Sequence, residues 1–198
     1  MTTDDLRRAR VTDWFSCIDI NRNGRLEWTD LQRVVDDMAS YLGWLPDTPF
    51  YQRLLEGQRG FWDTLSATCD TADDGSIGLD GFQRLFDTLA DDIARNDGRV
   101  PAWALGHVIT LLRALDLDGD GTITIDEYAL YLRSIESSAN PVDAFMTLDA
   151  DGDGRLTLDE LEARYVEWVT SETPDTPGNV LVTGRLPDGT NAGSARAD

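Results

Sequence analysis

The chain contains no lysine: all 17 of its basic residues are arginine, set against 37 acidic ones in 198 residues. Without lysine there is no Schiff-base amine and no phosphate-loop lysine. Histidine occurs once, as His107, so a zinc cluster built on imidazoles is excluded. No serine nucleophile elbow and no glycine-rich phosphate loop is present. The chain is therefore expected not to be an enzyme. Two cysteines, Cys17 and Cys69, are too few for a disulfide framework. They read as small buried thiols in a reducing cytoplasm, with a redox pair as the alternative. The opening residues lack the apolar stretch of a secretory signal, and Thr2 stands where N-myristoylation needs glycine. No apolar run approaches the ~18 residues that span a bilayer. The formal charge of −20 argues against nucleic acid or an anionic membrane as partner and suits a protein that collects cations.

What the chain has in abundance is one acidic pattern, repeated. Asp116-Leu-Asp118-Gly-Asp120-Gly-Thr122-Ile-Thr-Ile-Asp126-Glu127 and Asp149-Ala-Asp151-Gly-Asp153-Gly-Arg155-Leu-Thr-Leu-Asp159-Glu160 both fit the twelve-residue calcium loop, with acids at positions 1, 3 and 5, glycine at 6 and glutamate at 12. Calcium is a hard cation that takes about 6–8 oxygen ligands. Three short acids, a bidentate Glu and the backbone carbonyl of position 7 supply them. Gly121 and Gly154 stand at position 6, where the turn needs a backbone angle most residues resist.

Two further copies precede these. The first loop runs Asp19-Ile-Asn21-Arg-Asn23-Gly24-Arg25-Leu26-Glu27-Trp-Thr-Asp30, and the second runs Asp70-Thr-Ala72-Asp-Asp74-Gly75-Ser76-Ile77-Gly-Leu-Asp80-Gly81. Position 8 is apolar in all four, as Leu26, Ile77, Ile123 and Leu156. These residues belong to short strands through which loops pair back to back. Apolar residues at helical spacing flank every loop: Val11, Trp14, Phe15 and Ile18 before the first, Phe82, Leu85, Phe86, Leu89 and Ile93 after the second. Another such series starts at Pro101 and passes through Ala104, Val108, Leu111 and Leu115 into the third loop. The expected fold is all-α, with four loop units in two pairs, eight helices and short β pairing between loops, in one compact body. The expected domains are residues 1–97, residues 98–172, and a tail over 173–198. In the tail, Val180-Leu181-Val182 should fold back onto the body, and residues from about 187 onward should be disordered.

The ligand chemistry ranks the loops. The third is expected to bind through Asp116, Asp118, Asp120, Glu127 and the carbonyl of Thr122. The fourth uses Asp149, Asp151, Asp153, Glu160 and the carbonyl of Arg155. The first offers Asp19, Asn21, Asn23, Asp30 and the carbonyl of Arg25. Asp30 is one methylene shorter than glutamate, which favours a six-coordinate shell closer to the demands of Mg²⁺. The second loop lacks side-chain ligands at positions 3 and 12, where Ala72 and Gly81 stand; it should hold no ion and survive as the pairing partner of the first.

Loop starts at 19, 70, 116 and 149, with the second loop defective, make the chain resemble the EF-hand superfamily, and within it the sarcoplasmic calcium-binding proteins and calerythrin. The tail segment Asp175-Thr-Pro177-Gly178-Asn179-Val180-Leu181 resembles the Pro-Gly-Asn-apolar segment ending that family. The stretch from Arg185 to Asp198 extends past its usual end. The resemblance implies a cytoplasmic Ca²⁺/Mg²⁺ buffer binding three ions, and the chain is expected to be a monomer. A calcium sensor that regulates a partner protein is the alternative. A sensor exposes an adaptable, methionine-rich groove, and only Met1, Met38 and Met146 are present. The six tryptophans, Trp14, Trp28, Trp44, Trp62, Trp103 and Trp168, raise a third reading, a coelenterazine-type ligand. That chemistry relies on several histidines, and His107 on an apolar helix face reads as a packed core residue.

Overall fold

Each loop ends in a built-in helix start, and the fold grows from these. In the first, third and fourth loops, positions 9 and 12 are the N-cap and third residue of the outgoing helix. They form the reciprocal capping boxes Glu27–Asp30, Thr124–Glu127 and Thr157–Glu160. The second loop has Gly78 at its N-cap, without a side-chain cap. Two incoming helices instead begin at proline: Thr48 caps the one opening at Pro49, and Asn140 the one opening at Pro141.

The computed structural model describes residues 3–69, 71–101, 104 and 115–186. In chain order the elements are α1 (Thr3–Ile18), β1 (Arg25–Leu26), α2 (Trp28–Leu42), α3 (Pro49–Thr68), β2 (Ile77–Gly78), α4 (Leu79–Arg95), β3 (Thr122–Ile123), α5 (Ile125–Ser134), α6 (Pro141–Leu148), β4 (Leu156–Thr157) and α7 (Leu158–Thr170), followed by a 3₁₀ turn (Pro177–Val180). The described residues thus hold seven α-helices where eight were expected. The missing one, entering the third loop, falls on residues 102–114, which lie outside the described residues except for Ala104. His107 and Trp103 lie outside as well, and so does the segment 187–198 expected to be disordered. The loops pair as anticipated. β1 runs antiparallel to β2 with Leu26 opposite Ile77, and β3 antiparallel to β4 with Ile123 opposite Leu156.

An aromatic cluster joins the N-terminal helices to α7. Trp14 of α1 lies 5.4 Å from Phe82, 5.7 Å from Phe86 and 5.4 Å from Trp168, ring centre to ring centre. Phe86 and Trp168 meet edge to face at 5.1 Å, the geometry the aromatic quadrupole favours. Two leucines at helix ends stay outside the core: Leu42, at the last turn of α2, and Leu158, at the first position of α7, are exposed.

The segment after α7 returns to the body. Val180, Leu181 and Val182 are buried. Their carbonyls accept hydrogen bonds from two buried tyrosines of α5: Tyr128 donates to Val180 at 2.8 Å and Tyr131 to Val182 at 2.9 Å. Arg10 of α1 donates to Asn179 Oδ1 at 2.8 Å and to Ser171 Oγ at 2.9 Å. Burial, aided by the nearby charge of Arg7, pushes its guanidinium down to about 10. Gly178 is where the chain passes closest to α7: a Cβ there would lie 2.4 Å from the Arg164 carbonyl oxygen and 2.9 Å from the Trp168 nitrogen. Because those atoms are backbone, Gly178→Ala is expected to lower stability by about 1–3 kcal/mol, the usual cost of overpacking. Chemical denaturation measures this, and an unchanged midpoint would contradict the tight approach.

Candidate metal centres

The three complete loops are built by the same side-chain-to-backbone bonds. The carboxylate at position 1 accepts from the position-6 glycine N–H: Asp19 from Gly24 at 2.8 Å, Asp116 from Gly121 at 2.9 Å and Asp149 from Gly154 at 2.9 Å. Position 3 accepts from the N–H of position 5: Asn21 from Asn23, Asp118 from Asp120, Asp151 from Asp153. Position 5 accepts from the N–H of position 7: Asn23 from Arg25, Asp120 from Thr122, Asp153 from Arg155. These bonds turn the side chains of each loop toward one centre. This turn requires a left-handed backbone at position 6, where Gly24, Gly121 and Gly154 have φ of 79°, 87° and 84°. Position 4 is left-handed too. Glycine serves there in the third and fourth loops, but Arg22 has φ 57°, a strain of roughly 1 kcal/mol that glycine avoids.

Carboxylate oxygens of Asp116, Asp118 and Asp120 lie within 4.8 Å of one another, as do those of Asp149, Asp151 and Asp153. Two oxygens each bound to calcium at about 2.3–2.6 Å are separated by at most ~5 Å, so both triads fit that ion. Position 12 closes each loop from the far side. Glu127 accepts from Leu117 N–H and from Thr124 N–H, both at 2.7 Å. Glu160 accepts from Ala150 N–H at 3.1 Å and Thr157 N–H at 2.9 Å. Burial raises the Glu160 carboxyl, but these bonds outweigh it and hold it below the usual range. Asp30 spans less: its oxygens accept from Glu27 N–H at 3.0 Å and Asn21 N–H at 3.4 Å. It is buried, and burial pushes its pKa up.

The second loop is arranged differently. Asp70 lies outside the described residues. Ala72, which has no side-chain oxygen, donates its N–H to the Ser76 carbonyl at 2.9 Å. That carbonyl belongs to position 7, the backbone ligand of a working loop, so here it is already engaged. Sequence reasoning missed this closure; alanine at position 3 was its only trace. It also missed the direction of the position-7 arginines. Arg25 reaches Asp74 at 3.1 Å, and Arg155 bonds Asp120. Asp120 is held below the usual carboxylate range by the Thr122 hydroxyl and then by Arg155.

Three segments of the chain, residues 11–35, 108–130 and 142–163, match the family model of the EF hand. The chain is an EF-hand protein. Its second EF-hand unit, the one closed by Ala72, is not among those matches. The sarcoplasmic calcium-binding proteins I, III and IV of Branchiostoma lanceolatum are 23% identical over 144 residues, covering 71% of this chain and 76% of the relative. A solved calcium-binding protein of Streptomyces coelicolor matches at a TM-score of 0.66 and 24% identity, over 84% of this chain and 99% of that one. The calcium-loaded apo form of the coelenterazine-binding protein of Renilla muelleri matches at 0.70 and 15% identity, over 92% and 98%. The two solved structures share the fold.

Proposed function

We propose that this calcium-binding EF-hand protein is a cytoplasmic, monomeric, non-catalytic ion buffer. It takes three ions, through the first, third and fourth loops, with Mg²⁺ competing at the first. The observation that carries the count is the contrast between loops. Three share one ligand-presenting set of bonds, whereas the Ser76 carbonyl of the second is bonded by Ala72. The choice of buffer rests on the tail. A sensor opens an apolar groove between its helices when loaded. Here Val180–Val182 fill the space against α5, and Tyr128 and Tyr131 bond their carbonyls. Among the described residues no helix is long and apolar enough to cross a membrane.

One observation favours the sensor reading. The end of α2, the connector after it and the start of α3 expose Tyr41 (53%), Leu45 (65%) and Phe50 (44%) in turn, and the Streptomyces coelicolor neighbour is described as acting in calcium-mediated regulation. The coelenterazine-type reading draws on solved neighbours that share the fold, the Renilla muelleri coelenterazine-binding protein among them; Trp14 and Trp168 are 4% and 1% exposed and packed against other rings.

A calorimetric titration with Ca²⁺, repeated in excess Mg²⁺, tests the proposal. Three binding events are expected, one suppressed by Mg²⁺. A fourth would contradict the closed second loop. A large calcium-dependent rise in the fluorescence of an apolar-surface probe would favour the sensor over the buffer.

A further inference from the structure

Both lobes carry a contact that the repeat pattern does not announce. Antiparallel pairing at position 8 sets two loops back to back, and a long side chain at position 7 of one can reach position 5 of the other. Arg25 Nη1 lies 3.1 Å from Asp74 Oδ2 and 3.0 Å from Ser76 Oγ. Arg155 Nη1 donates to Asp120 Oδ2 and, at 2.9 Å, lies within bonding distance of Thr122 Oγ1. The construction is the same but the recipients differ. Asp74 sits in the loop that lacks ligands at positions 3 and 12. Asp120 is a position-5 ligand of a complete loop. The reverse contact is absent, because position 7 of the third loop is the uncharged Thr122; Asp153 accepts the N–H of Arg155 within its own loop and meets the Arg155 guanidinium through space, without the hydrogen bond that Asp120 receives.

We infer that Arg155 acts as a resident cation of the third loop, lowering its calcium affinity and placing the fourth loop ahead of it in the order of filling. Ligand charge count is one of the quantities that tune an EF-hand loop. A guanidinium bonded to Asp120 removes one unit of that charge from the third loop and repels the incoming ion. The same residue lends its backbone carbonyl to the fourth loop, so the two sites are joined through one side chain. Its head is half exposed, at 50% of the side-chain surface, so the effect is screened by salt.

This inference rests on reading the third and fourth loops as ion sites, and the experiment separates the two. In the full chain carrying Glu160→Gln, which isolates the third loop within its pair, Arg155→Met is expected to raise calcium affinity about five-fold at low salt, the scale of one unit charge at short range in a water-like dielectric. The gain shrinks at about 0.5 M salt, where the Debye length falls to a few ångströms. Arg155→Lys restores the charge and returns affinity toward the parent. Melting in chelator gives a second readout: Arg155→Met lowers the midpoint, because the loop acids lose their counter-charge, and raises it in calcium. An affinity that falls or stays unchanged at low salt in Arg155→Met overturns the inference and leaves the ion sites standing. No third-loop uptake in the Glu160→Gln parent overturns the ion-site reading, and this inference with it.

Discussion

Replacing Glu127 and Glu160 together by glutamine will cut calorimetric calcium uptake from three ions to one. Each glutamate does two things in its loop. On the proposed reading it contributes the bidentate ligand that completes the oxygen shell. It also accepts N–H groups from both ends of the loop, Glu127 from Leu117 and Thr124, Glu160 from Ala150 and Thr157. Glutamine keeps one acceptor and turns a donor toward an N–H that already needs an acceptor. It also deletes a negative charge beside a divalent ion. Loss of an outer partner of a metal ligand costs about 10–100-fold in affinity, and loss of a direct, charged, bidentate ligand costs more. More than about 100-fold per loop is therefore expected, with the first loop, closed by Asp30, retaining its ion. The thermal consequence follows from linkage. An ion present at 100 times its dissociation constant stabilises by about 2.7 kcal/mol per site, so the double variant loses most of the calcium-induced rise in melting temperature. Unchanged uptake would remove the basis of the functional proposal.

Ending the chain at Thr173 will cost more stability than any single loop substitution. The segment it removes buries Val180, Leu181 and Val182, each worth about 1.5–3 kcal/mol when fully withdrawn from water. It also leaves Tyr128 and Tyr131 of α5 with hydroxyls that had donated to Val180 and Val182, and buried donors without partners cost about 1–3 kcal/mol apiece. Arg10 loses Asn179 and keeps only the contacts to Ser171. The total approaches the 5–15 kcal/mol that holds a typical domain folded. The shortened protein is expected to expose apolar surface, to bind a fluorescent apolar probe even with calcium present, and to lose cooperative melting of the C-terminal pair. A sharp transition within a few degrees of the parent would show that the tail is an ornament on a self-sufficient body.

Local rules made much of this legible. A ligand loop is a short segment whose bonds run between residues two to ten apart, so spacing alone reveals it. The loop positions, the pairing of Leu26 with Ile77 and of Ile123 with Leu156, and the capped helices that follow all obey such rules. The defect of the second loop was visible as Ala72 and Gly81. The way the loop compensates, by turning the Ser76 carbonyl onto Ala72 N–H, was not, because a backbone carbonyl has no signature in sequence.

The sequence by itself determined which oxygens could be offered to an ion, and where each helix begins, since both depend on neighbours a few residues away. The tertiary structure alone decided what faces those sites from a distance. Arg155 on Asp120, Arg25 on Asp74, and Arg10 on Asn179 join residues 35, 49 and 169 positions apart. Nothing in a composition or a period specifies where a flexible guanidinium will end. That follows from the closure of the chain, which brings a carboxylate or an amide oxygen within its reach.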